Sequence, residues 1–107
     1  MVATGMNYLE WLKRDYEDSN FWIYIGFTFD YLEKGAVRVK LTVSENVLNR
    51  NKTLHGGTIS SMTDVAISST IRSIQSVHVT SVSLTTNFIN PVEEGKTYLC
   101  NNFCSKF

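Results

Sequence analysis

The sequence predicts an α+β fold, an antiparallel sheet packed on one long helix, and three stretches carry that prediction. Val37, Val39, Leu41 and Val43 alternate with polar neighbours, the period of a half-buried strand. Thr58 to about Ile74 runs without Gly or Pro, and Ile59, Met62, Ala66 and Thr70 share one helical face flanked by Ile71 and Ile74. Val77 to Asn90 returns to a strand pattern that Pro91 closes, because proline cannot donate to a ladder. The expected order is a short N-terminal helix, two strands, the long helix and two more strands.

Taken in order, Tyr8, Leu9, Trp11, Leu12 and Tyr16 recur at spacings of three and four, which predicts an amphipathic helix. The polar residues Asp15, Glu17, Asp18, Ser19 and Asn20 end it. Phe21 to Leu32 is aromatic and β-branched and reads as a largely buried strand. Glu33-Lys34-Gly35 turns the chain, and Ala36 to Val43 comes back to complete a hairpin. Nine of the nineteen residues from Thr58 to Ser76 are Ser or Thr, types that compete for backbone hydrogen bonds. Propensity alone does not hold such a helix. Its small side chains let a sheet approach closely, so it reads as an enclosed central helix. Val92-Glu93-Glu94-Gly95 is a turn, and Lys96 begins a further strand.

A chain of 107 residues is expected to form one domain, 1–107. Ten Lys and Arg balance ten Asp and Glu, so no overall field draws nucleic acid or an anionic membrane. The longest apolar run, Phe21 to Phe27, falls far short of the ~20 residues that cross a bilayer. Glu10, Lys13, Arg14 and Asp15 interrupt any secretion-signal core. Cys100 and Cys104 are too few for a disulfide framework and lack partners for zinc. Reduced thiols in a cytoplasmic protein are the expectation.

The chemistry concentrates in Asn49-Arg50-Asn51-Lys52-Thr53-Leu54-His55-Gly56-Gly57, just ahead of the long helix. A glycine pair at a helix start allows a ligand to approach the backbone closely. The first helical turn also carries amide N–H groups without internal partners and a partial positive charge. Together these suit a polarised carbonyl oxygen that gains negative charge during reaction. Asp64 stands mid-helix among Ala, Val, Ile, Ser and Thr. A carboxylate in such surroundings is costly unless paired, and it suits a general base or nucleophile in a partly dry site.

The pattern Asn49-x5-His55-Gly56-Gly57-x6-Asp64, then Thr80-Ser81-x6-Phe88-x2-Pro91-x3-Gly95, resembles the PaaI-like acyl-CoA thioesterases of the hotdog superfamily. The resemblance runs from about Ala36 to Gly95. It implies a sheet wrapped around the central helix, a homodimer or dimer of dimers, and hydrolysis of acyl-CoA without cofactor or metal. Dehydratase and hydratase relatives use other His and Asp patterns. By the resemblance, Asp64 activates water or attacks the thioester carbon, and the Gly56 N–H polarises the carbonyl. Asn49 and His55 flank that carbonyl and order the site, and Ser81 aligns with a serine that assists the attacking water. Gly57, Thr80, Arg50 and Lys52 fall on the substrate side; two such cations are ordinarily a solvated loop, and contact with the CoA phosphates is the competing expectation for Arg50 and Lys52. Lys52 stands where many members have glycine.

Helix geometry adds a separate argument for a dimer. Asp64 lies nine residues after His55, or ~13.5 Å along the axis and about half a turn around. A carbonyl seated on the helix start is then beyond the ~3 Å reach of that carboxylate. A two-fold dimer brings the loop of one subunit to Asp64 of its mate. Family members continue past the Pro-x3-Gly turn with three strands, whereas sixteen residues follow Pro91 here. That leaves room for one strand of about five or six residues, so the last strands are expected to be incomplete. A non-catalytic acyl-CoA-binding or sensing protein on the same fold is the competing expectation.

Overall fold

The computed structural model describes residues 7–76 and 91–103, the side chain of Phe103 excepted. Helix α1 (Tyr8–Glu17) begins where Asn7 Oδ1 accepts from the Glu10 N–H at 2.8 Å, as a capping asparagine does. Leu12 is its buried residue, in line with the predicted amphipathic stripe.

The next segment departs from the expected strand. Asn20–Ile25 forms a second helix, α2, and only Thr28–Glu33 is strand, β1. Gly26 ends α2 in the left-handed region at φ 91°, a conformation glycine adopts without steric cost. Aromatic composition favours a strand here, but one ring decides the matter. Trp22 is buried, its ring centroid 4.8 Å from that of Phe29 in a tilted contact and 5.4 Å from that of Phe27 edge-on, while Phe21, Ile23 and Tyr24 stay exposed. A helical turn buries that one ring and leaves its neighbours outside; an extended chain would alternate them.

Strand β2 (Ala36–Thr42) pairs antiparallel with β1 across the expected Lys34-Gly35 turn. The register slips between Phe29 and Tyr31, so Asp30 is an extra residue on β1. Its carboxylate meets Arg38 at 3.3 Å and Lys40 at 4.0 Å. Val37, Val39, Leu41 and Val43 are buried, as their alternation predicts. Strand β3 (Thr97–Phe103) pairs antiparallel with the other side of β2, giving the order β1-β2-β3. Gly95 reaches β3 through a left-handed φ of 86°, its N–H donating to Val43 O at 2.8 Å. The strand expected over Val77–Asn90 lies outside the described residues.

Helix α3 (Gly56–Ile74) lies against this sheet. Met62, Ala66 and Thr70 are buried as predicted, whereas Ile59, Ile71 and Ile74 are half-buried. Thr58, Ser69, Arg72 and Ser73 take the remaining buried positions. Buried hydroxyls need acceptors, and the helix supplies its own. Ser69 and Thr70 donate to the carbonyls of Val65 and Ala66, and Ser73 to that of Thr70, each at 2.6 Å. Small satisfied side chains let the sheet come close.

Helix α1 docks on the far end of α3. Tyr8 OH donates to Arg72 O at 2.8 Å, and Tyr16 OH lies 2.6 Å from Ser68 Oγ. The Arg72 guanidinium sits against the Trp11 and Tyr16 rings and pairs with Asp15 at 3.0 Å.

Candidate active site

The chain reaches α3 through a small hairpin. A short 3-10 turn at Glu45–Val47 leads into an antiparallel bridge between Leu48 and Leu54, with residues 49–53 at its tip. Asn49 N–H donates to Thr53 O at 2.7 Å, and Lys52 N–H donates to Asn49 O at 3.1 Å. The side chain of Asn49 braces the same tip. Its Oδ1 accepts from the Asn51 N–H at 2.8 Å and the Thr53 N–H at 3.1 Å.

Lys52 adopts φ 64°, the left-handed position that glycine usually fills in such a turn. That conformation costs a lysine on the order of 1 kcal/mol. Lys52→Gly is therefore expected to raise stability by up to about 0.5 kcal/mol, a Tm gain of about 2–4 °C, after allowance for the looser unfolded chain. A thermal melt checks this, and an unchanged or lower Tm contradicts the strain. The Lys52 and Arg50 side chains are exposed.

His55 is the N-cap of α3, and its Nδ1 accepts from the Gly57 N–H at 2.8 Å. The ring lies so close that a Cβ on Gly57 would stand 3.0 Å from Nδ1. Glycine at 57 is what admits this cap. His55 N–H donates to Val47 O at 2.7 Å, and Leu54 N–H to Val92 O at 2.7 Å, which ties the helix start to its surroundings. Thr58 and Ile59 donate to His55 O. Of the first-turn amides, the Gly56 N–H has no acceptor among the described residues. It is the donor left open at the positive end of the longest helix.

Asp64 is half-buried on the same helix, eight residues after Gly56. At ~1.5 Å per residue that is ~12 Å along the axis. Asn49, Arg50 and Lys52 thus sit on the hairpin loop that precedes α3, His55, Gly56 and Gly57 sit at the helix start, and Asp64 stands about two turns farther along the same helix. Thr80 and Ser81 lie outside the described residues. Beside Asp64, Thr63 bonds the Cys100 thiol, but burial dominates and pushes that thiol up from its ordinary value. Cys100 thus stays a neutral thiol at neutral pH rather than a nucleophile. Among the described residues no group of three His, Cys, Asp or Glu could hold a metal ion, and no helix is long and apolar enough to cross a membrane.

The residue that sequence reasoning missed is Thr53, whose hydroxyl lies 3.0 Å from Asn49 Nδ2. The only hint in the sequence is the Asn-x3-Thr spacing across a polar loop.

Comparison with known proteins follows the same lines. A family model described as the thioesterase superfamily matches residues 51–106. A Saccharolobus solfataricus protein named as an esterase is 36% identical over 73 residues, covering 67% of this chain and 49% of that protein. The chain thus spans about half the length of that curated relative. Among solved structures, the E. coli PaaI protein from the phenylacetic acid degradation operon has a TM-score of 0.74 at 25% identity, over 85% of this chain and 67% of that one. Thioesterase superfamily member 2 from Mus musculus gives 0.75 at 18% identity, over 100% and 77%. The zebra fish protein of the same name gives 0.78 at 21% identity, over 98% and 78%. The last two likenesses speak for the fold alone.

Proposed function

The chain belongs to the thioesterase superfamily and has its hotdog fold, and on that premise we propose that it hydrolyses an acyl-CoA thioester to the free acid and CoA. The observation that carries the proposal is the open Gly56 N–H at the start of α3, beside a Gly57 amide that His55 already occupies. The thioester oxygen takes that amide, and the helix end favours the charge that develops there. Asn49 offers a further donor from the loop. Asp64, from the partner subunit of a homodimer or dimer of dimers, takes a proton from water as water attacks the carbonyl carbon. Direct attack by its carboxylate is the variant of the same scheme. The tetrahedral oxyanion then collapses, the C–S bond breaks, and CoA leaves as the thiolate. Ser81 assists the attacking water, Thr80 belongs to the substrate-binding side, and Arg50 and Lys52 meet the CoA phosphates. The scheme uses no metal and no cofactor, and a cytoplasmic location suits its substrate.

Release of free thiol from a panel of acyl-CoAs tests this reading. Time-dependent release by the purified protein is the expected result. Tight acyl-CoA binding without any thiol release would instead assign the chain as a non-catalytic binding or sensing protein.

A further inference from the structure

We propose that Thr53 is a positioning residue for this site, its hydroxyl holding the Asn49 carboxamide nitrogen so that the second Nδ2 hydrogen faces a ligand. The kinetic consequence rests on the hydrolase reading above; the geometry does not. Thr53 Oγ1 lies 3.0 Å from Asn49 Nδ2 and 3.2 Å from Asn49 Oδ1. One hydroxyl therefore accepts from one end of the carboxamide and donates to the other. Oδ1 also takes the N–H groups of Asn51 and Thr53. A flipped carboxamide would set its own hydrogens against those two backbone donors, so the oxygen is held toward the loop. Nδ2 carries two hydrogens. Thr53 takes one, and the other has no acceptor among the described residues.

The hydroxyl stands on fixed backbone three residues before the Gly56 amide. Thr53 forms an antiparallel bridge with Glu93, and its carbonyl takes the Asn49 N–H. Closing the loop does not require the hydroxyl, since Oδ1 already holds both backbone donors. What the hydroxyl adds is the contact to Nδ2. That contact presents the second Nδ2 hydrogen to a ligand carbonyl at the helix start.

The test compares wild type, Thr53→Val, Thr53→Ser and Asn49→Asp by acyl-CoA kinetics, thermal melting and NMR of the Asn49 side-chain amide. Thr53→Val keeps the shape without the hydroxyl, and it is expected to lower kcat about 10- to 100-fold, the scale of a small misplacement. KM is expected to stay within about threefold, because ground-state binding is untouched. Thr53→Ser is expected to restore most of the rate. Exchange of the Asn49 amide protons should be slow in wild type and Thr53→Ser and fast in Thr53→Val. Asn49→Asp keeps the loop acceptors but has no N–H, so it should melt near wild type and turn over at least as slowly as Thr53→Val. Equal amide protection in Thr53→Val and wild type overturns the proposal, as does a full rate in Thr53→Val or a failure of Thr53→Ser to restore it. Should Thr53→Val not fold, a full rate in Asn49→Asp overturns it instead. If wild type hydrolyses no acyl-CoA, the hydrolase reading falls, and the amide exchange still decides the role of Thr53.

Discussion

Asp64→Asn is expected to lower thioester turnover by at least ~100-fold, since a positioned acid–base group typically contributes ~100- to 10,000-fold. The change keeps the size and hydrogen-bonding outline of the side chain and removes only its basicity. Asp64 is half-buried on a helix whose buried face includes Met62, Ala66 and Thr70, and asparagine fills the same space. Melting temperature and acyl-CoA affinity should therefore stay near wild type while kcat falls. Near wild-type turnover in the variant would remove Asp64 from the mechanism. A matching loss of affinity would recast it as a binding group.

Subunit mixing is expected to restore activity between two dead variants. One carries Asp64→Asn, and the other carries substitutions in the Asn49-His55-Gly56 loop. Gly56 and Asp64 lie on one helix, ~12 Å apart along its axis, well beyond the ~3 Å reach of proton transfer at a carbonyl seated on Gly56. In a mixed two-fold dimer, one site combines an intact loop with an intact carboxylate and the other carries both defects. Random re-pairing makes half the dimers mixed, and each has one good site of two. About a quarter of wild-type activity should return. Mass spectrometry or paired tags would establish that subunits exchange. Exchange without recovered activity would show that each chain builds its own site.

The sheet and the long helix were legible because their residues solve one simple problem each. Val37, Val39, Leu41 and Val43 have a single way to reach a core on one face, and the run from Thr58 contains nothing that breaks a helix. Helix α2 was not legible. Phe21, Trp22, Ile23, Tyr24 and Ile25 all favour a strand on composition, and Trp22 alone settles the issue through the rings of Phe27, just before β1, and Phe29, on it. Gly26 was the available clue, because a left-handed glycine after six residues closes a short helix. In the site, the helix start was readable from the glycine pair. The brace beneath it was not, since hydrogen bonds from Asn49 to Asn51 and Thr53 depend on a turn that only a left-handed Lys52 closes.

The hydroxyl-rich make-up of α3 also bears on the order in which the molecule assembles. Eight Ser and Thr within α3, each about 0.5 kcal/mol below alanine in helix propensity, leave this stretch roughly 4 kcal/mol poorer than an alanine-rich helix. Nucleation adds to that deficit. A synthetic peptide of this stretch should therefore show a coil spectrum by circular dichroism, and a strongly helical spectrum would contradict the point. In the whole chain, the helix then waits for a surface on which to condense. The β1–β2 hairpin supplies it first, because a short turn joins its strands. Strand β3 pairs Cys100 with Val39 across about sixty residues, so that closure is slow to form. Truncating Val39 should accordingly slow folding, while changes on β3 should mainly speed unfolding. The helix that carries both Gly56 and Asp64 exists only once the hairpin beneath it does.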